Sequence, residues 1–145
     1  SARFSVPRRH SCRRSACYNP GMVHGLEHTA IASPDPQKLA HWYVEQFGFV
    51  INYNSGRTVF VKAPNGSMLE IITSEGERGP QTMKDPGIRH LALAVDDFDV
   101  VYGRLKEAGV AFLSEPSAGK GVRTVFFTDP DGNYLHLIQR ETPLP

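Results

Sequence analysis

The spacing of apolar and polar positions changes period along the chain, and each change marks an element. Residues 25–32 alternate between turn residues and predict a strand. Ser33-Pro34-Asp35-Pro36 then opens a helix, with Asp35 as N-cap and Pro36 at the first helical position. Leu39, Trp42, Tyr43, Gln46 and Phe47 follow at helical spacing, apolar at all but one, and Gly48 stands where that helix should stop. Phe98, Val101, Tyr102, Leu105 and Ala108 make a second stripe, capped by Asp96 or Asp97 and ended by Gly109. A strand is predicted after each helix, near 49–53 and 110–113. A hairpin follows in both places, marked by Asn65-Gly66 and by Asp131-Gly132.

The chain is therefore one module written twice. Gly25-Leu26-Glu27-His28-Thr29-Ala30-Ile31 reads like Gly87-Ile88-Arg89-His90-Leu91-Ala92-Leu93. The stretch from Thr58 to Ile72 aligns without a gap to that from Thr124 to Ile138. The offset grows by four residues between the two matches, which places an insertion within Ser114–Gly121. Each copy reads β-α-β-β-β: module one over 24–73, module two over 87–140, and a polar connector, 74–86, between them.

Composition adds limits. A length of 145 residues with 40% hydrophobic and 21% charged positions predicts one globular domain. The net charge of +1 argues against a nucleic-acid partner. No apolar run is long enough to span a membrane. Two cysteines are too few for a disulfide scaffold, so a cytoplasmic protein is expected. The charge is unevenly spread. Residues 1–22 carry Arg3, Arg8, Arg9, Arg13 and Arg14 without an acid, ahead of an acidic body over 23–145. This basic arm resembles a transit peptide, or the product of a translation start upstream of Met22. His10, Cys12, Cys17 and His24 match no zinc-ligand spacing and are not read as a metal site.

Candidate chemistry falls at equivalent points of the two copies. His28 and His90 are counterparts on the first strands, and Glu70 and His136 are counterparts on the last. Side chains alternate across a strand, so each of the four is flanked on its own face mainly by apolar residues. An unpaired buried carboxylate is costly. Three imidazoles and one carboxylate sharing a divalent cation would remove that cost. A nitrogen and oxygen donor set without thiolate suits Zn, Ni, Fe, Co or Mn. His24 and His41 have no counterpart in the other copy. Arg57, Arg89, Lys120 and Arg123 are candidates for an anionic substrate, with Arg57 and Arg123 taken as the substrate-binding pair.

The repeated modules, with His28, Glu70, His90 and the Asp129-Pro130-Asp131-Gly132-Asn133 hairpin, resemble the vicinal oxygen chelate superfamily, the group of glyoxalases, bleomycin-resistance proteins and extradiol dioxygenases. The resemblance spans about residues 24–140. It implies an α+β fold in which two βαβββ modules form a U-shaped, half-open mixed sheet around one metal ion. It also implies that the ion polarises two adjacent oxygens of a small-molecule substrate, and that His28, Glu70, His90 and the residue at 136 are its ligands. Relatives commonly carry Glu at that last position, where this chain has His136. Three functions follow as expectations. The first is an isomerase or lyase of the glyoxalase type, with Glu70 moving a proton. The second is an Fe(II) extradiol dioxygenase. The third is a non-catalytic, drug-sequestering binding protein. A homodimer is expected, with the site either within one chain or shared between two.

Overall fold

The computed structural model describes residues 20–145; His10, Cys12, Cys17 and the five arginines of the arm lie outside the described residues. Two aspartates set the starts of the two helices. The Asp35 carboxylate accepts from the Lys38 backbone N–H at 3.0 Å, and Pro36 takes the first turn of α1 (Pro36–Phe47). Asp97 accepts in the same way from Val100 at 3.1 Å and starts α2 (Phe98–Glu107), so Asp97 rather than Asp96 is the second cap. Gly48 ends α1 in the left-handed conformation that glycine adopts without strain.

Around α1 lie β1 (His28–Ser33), β2 (Val50–Asn54), β3 (Thr58–Lys62) and β4 (Met68–Thr73). They form a four-stranded sheet in the order β1-β4-β3-β2, with β1 parallel to β4. Around α2 lie β5 (Leu91–Ala94), β6 (Ala111–Phe112), β7 (Ser117–Gly119), β8 (Val122–Thr128) and β9 (Tyr134–Arg140). These make a five-stranded sheet, β5-β9-β8-β6, with β7 paired to β8. The additional strand β7 falls inside the predicted insertion.

Both first strands start later than their sequence pattern suggests. Residues 25–27 and 87–90 alternate correctly, yet lie outside the ladders, and Leu26 and Ile88 are exposed. Edge strands β1 and β5 each have one hydrogen-bonding neighbour. Their ladders can begin only where β4 and β9 emerge from their hairpins, at Met68 and near Tyr134. Those hairpins are not two-residue turns. In each, a four-residue turn closes on glycine, through Gly66 N–H to Ala63 and Gly132 N–H to Asp129, and the glycine takes positive φ. This is the three-residue loop with a left-handed final residue.

Alternation sorts the side chains. Val59, Val61, Leu69 and Ile71 of the first sheet, and Val125, Phe127, Leu135 and Leu137 of the second, are buried with Leu39, Tyr43, Phe98 and Leu105 in one core shared by both modules. Phe47 of α1 lies 6.1 Å, ring to ring, from Phe127. A polar tie crosses the same boundary. The Tyr43 hydroxyl donates to Asp129 Oδ2 at 2.8 Å, 86 positions away. Asp129 is buried and also accepts from the backbone N–H groups of Asp131 and Asn133 and from the Asn133 side-chain amide. Burial raises the Asp129 carboxyl above the ordinary range, while these hydrogen bonds pull the other way. Burial and that neighbouring charge push the Tyr43 phenol well up, which keeps it a donor. Removing the hydroxyl with Tyr43→Phe leaves a buried carboxylate short of one donor. It should cost about 1.5–3 kcal/mol of stability, read from the denaturant midpoint.

Candidate metal centre and active site

The alternate face of each sheet, opposite the core, carries the four ionisable residues. In module one His28 begins β1 and Glu70 lies two residues into β4, both only partly covered. His28 Nε2 stands 3.3 Å from Glu70 Oε2. The other ring nitrogen, Nδ1, stands 3.2 Å from Glu27 Oε1. An Nδ1–H donated to Glu27 leaves the Nε2 lone pair turned toward Glu70. Two acceptors facing one another call for a cation or a proton between them. Their spacing is close to the roughly 3.3 Å between neighbouring ligands held at about 2.0–2.1 Å in a tetrahedron.

Module two repeats the arrangement with a change of residue. His90 sits one position before β5 and His136 lies on β9, with ring centroids 4.5 Å apart. His136 is 8% exposed, and among the described residues neither ring nitrogen has a hydrogen-bond partner. Burial lowers the pKa of this imidazole, and the nearby His90 and Arg140 lower it further. A neutral, buried imidazole with a bare lone pair is poor packing and a good ligand. The donor set therefore fits a divalent cation. Among the described residues, however, no group of three or more His, Cys, Asp or Glu is placed to hold a metal ion. A single chain assembles the expected quartet as two pairs, not as one cluster.

An aromatic residue backs each pair at equivalent positions. Phe60 meets His28 edge-on at 5.4 Å, and Phe126 meets His90 at 5.3 Å and His136 at 4.7 Å. Their ladder partners are Glu70 and His136. Phe60, Phe126 and Glu27 were not singled out from the sequence. The two phenylalanines occupy equivalent places in the repeat, so the signal was available; for Glu27 there was only its adjacency to His28.

The two arginines chosen from charge lie elsewhere. Arg123 shares the face of Val125 and Phe127, on the helix side. It makes a double contact with Asp99, at 2.8 and 3.1 Å, and lies over the Phe98 ring at 4.4 Å. Arg57 is in the exposed β2–β3 turn, where its carbonyl accepts from Thr73. The contacts that place both arginines lie away from the His and Glu pairs.

Comparison with known proteins gives a consistent picture. A sequence profile described as "Glyoxalase/Bleomycin resistance protein/Dioxygenase superfamily" matches residues 25–137. An ethylmalonyl-CoA/methylmalonyl-CoA epimerase of Cereibacter sphaeroides is 34% identical over 133 residues, covering 83% of this chain and 98% of that protein. Among solved structures, the oxidase ChaP-H2 superposes with a TM-score of 0.67 at 30% identity, covering 82% of this chain and 95% of its own. TnmS3, an antibiotic-binding protein from Streptomyces sp. CB03234, does so with 0.67 at 26%, covering 82% and 98%.

The unpartnered imidazole makes a prediction about stability without metal. Leaving a buried polar group unsatisfied costs about 1–3 kcal/mol. His136→Leu should therefore hold or raise the unfolding temperature of the metal-stripped protein while lowering its metal uptake. Thermal unfolding and elemental analysis of the same preparation check both halves.

Proposed function

Since the chain belongs to the glyoxalase/bleomycin resistance protein/dioxygenase superfamily, we propose that it is a divalent-metal-dependent isomerase or lyase that moves a proton next to a carbonyl, with Glu70 as the base. The observation that carries this reading is the 3.3 Å approach of His28 Nε2 and Glu70 Oε2, set beside the buried imidazole of His136 with no partner at either nitrogen. His28, Glu70, His90 and His136 would hold the ion, drawn from Zn, Ni, Fe, Co or Mn. When bound, it supplies Lewis-acid polarisation of two adjacent substrate oxygens.

The residues then divide the remaining work. Glu70 is the one carboxylate among the four, so it takes the proton from carbon and returns it. Glu27 holds the His28 ring through Nδ1. Phe60 packs edge-on against the His28 ring, and Phe126 packs against those of His90 and His136. A single carboxylate suits a proton shift on one face of the substrate. Inversion at carbon needs a second donor on the opposite face, and His136 stands where relatives commonly place that second carboxylate.

The two pairs belong to one site in this reading, and a homodimer joins His28 and Glu70 of one chain to His90 and His136 of its partner. Both pairs lie on sheet faces turned away from the core; His28 and Glu70 are partly open there, and His136 is covered. The cytoplasmic setting expected from the sequence is retained. A second reading, binding without turnover, draws support from the absence of a three-ligand group among the described residues and from the likeness to TnmS3.

The experiment is a turnover screen of metal-loaded protein on 2-oxoaldehyde hemithioacetals and acyl thioesters, following proton exchange with solvent. Glu70→Gln should lower the rate at least about a hundredfold. Turnover that survives in Glu70→Gln would falsify the assignment of the base. Metal-loaded protein that turns over none of these substrates supports binding without catalysis, and catechol cleavage after iron loading supports the dioxygenase.

Dimer sharing has its own test. Glu70→Gln and His136→Ala chains, each inactive alone, should recover about a quarter of parental activity when mixed and exchanged, the statistical share of intact sites in a two-fold dimer. No recovery, in a mixture shown by mass to contain heterodimers, places the site within one chain.

A further inference from the structure

We propose that a cleft at the seam between the modules, beside His90, is a subsite for the carboxylate of a small acidic acyl substrate, held by Arg78 and Arg89. The inference rests on the reading of His90 as part of the reacting site. The cleft has a volume of about 300 Å³, at the small end of ligand sites. One wall is β1 from Thr29 to Ala32, at the edge that has no strand beside it. The opposite wall is the run into β5, from Ile88 to Leu91, and Arg78, Gln81, Asn133 and Tyr134 close it.

Its charge is one-sided. No Asp or Glu lines the cleft, while two guanidinium groups do. Among the described residues Arg78 forms no ion pair. Its Nη2 donates to a neutral partner, Asn133 Oδ1, at 2.6 Å. Arg89 is three-quarters covered; its Nη1 donates to the Thr82 carbonyl at 3.1 Å, and its sole carboxylate contact among the described residues, to half-exposed Asp85, is long at 3.9 Å. Both guanidiniums are thus held by hydrogen bonds to neutral oxygens.

The wall that carries them is braced. Asn133 is held by Asp129 through its backbone and its side-chain amide, and Asn133 in turn holds Arg78. The Tyr134 hydroxyl donates to the Gln81 carbonyl at 3.3 Å. The connector, which carries no helix or strand of its own, is thereby tied to the second hairpin and made into a wall. Two forked guanidiniums match the two oxygens of a carboxylate. Contact with His90 places that carboxylate next to the reacting oxygens. The subsite would therefore select an acyl group with an acid close to its carbonyl, ahead of a phosphate far along a carrier.

The test is calorimetric titration of metal-stripped protein, dialysed free of chelator, with malonate, neutral malonamide and inorganic phosphate. Malonate should bind one to one, malonamide should not bind, and phosphate should bind more weakly than malonate. Arg78→Gln combined with Arg89→Gln should weaken malonate about tenfold or more. If that double variant fails to fold, Arg78→Gln alone changes an exposed side chain and should weaken malonate by about three- to fivefold. Undiminished malonate binding in a folded variant overturns the subsite, as does phosphate binding tighter than malonate. Because these titrations need neither metal nor turnover, they separate the subsite from the catalytic reading. Malonate bound by a protein that turns over no substrate leaves the subsite standing and removes the catalysis. Turnover without malonate binding does the reverse.

Discussion

Side chains that alternate across a strand are the constraint on which the rest of the molecule depends. Each sheet has to serve two environments. Val59, Val61, Leu69 and Ile71 in one, and Val125, Phe127, Leu135 and Leu137 in the other, build a common core. The residues between them, Phe60, Glu70, Phe126 and His136, are left for the opposite face, where chemistry is possible. A one-residue slip in the β3–β4 or β8–β9 ladder would turn an ionisable group into the core and an apolar one out. The glycine-closed loops at Gly66 and Gly132 hold the registers that keep the two sets apart.

The two copies are alike in pattern, and they differ at the last-strand position, Glu70 in one and His136 in the other. Copy one holds a carboxylate that remains partly open, with His28 steered by Glu27. Copy two holds an imidazole that is covered and, among the described residues, has no hydrogen-bond partner. An open carboxylate can exchange a proton with a substrate. A covered, neutral imidazole can contribute a lone pair and little else. Under the proposed function, position 136 therefore divides the labour between the two copies, leaving Glu70 to act and His136 to hold.

Much of this was legible in the chain. The caps Asp35 and Asp97, the stop at Gly48, the insertion near β7 and the parity of the ionisable residues all follow from local rules that tertiary packing did not override. Strand starts were misjudged because alternation says nothing about where a neighbour runs out. The choice of Arg123 rested on charge, although its parity with Val125 and Phe127 already pointed to the helix side. Arg78 lay in a polar connector with no periodicity to interpret. Its importance comes from a hydrogen bond to Asn133, 55 positions away. The repeat shows which residues are equivalent, but not how two modules sit together, so two separate pairs could not be told from one cluster.

The tie from Tyr43 to Asp129 bears on how the chain folds. A buried carboxylate that draws a donor from the far half of the sequence, inside a core that both halves fill, makes each module a poor fold by itself. Either half released at the connector would expose apolar surface and strand an acid beneath it. A shared core and a buried tie of this kind favour two copies that gain and lose structure together. Covalent linkage of the two modules supplies at fixed stoichiometry the partner surface that each would otherwise have to find in another molecule.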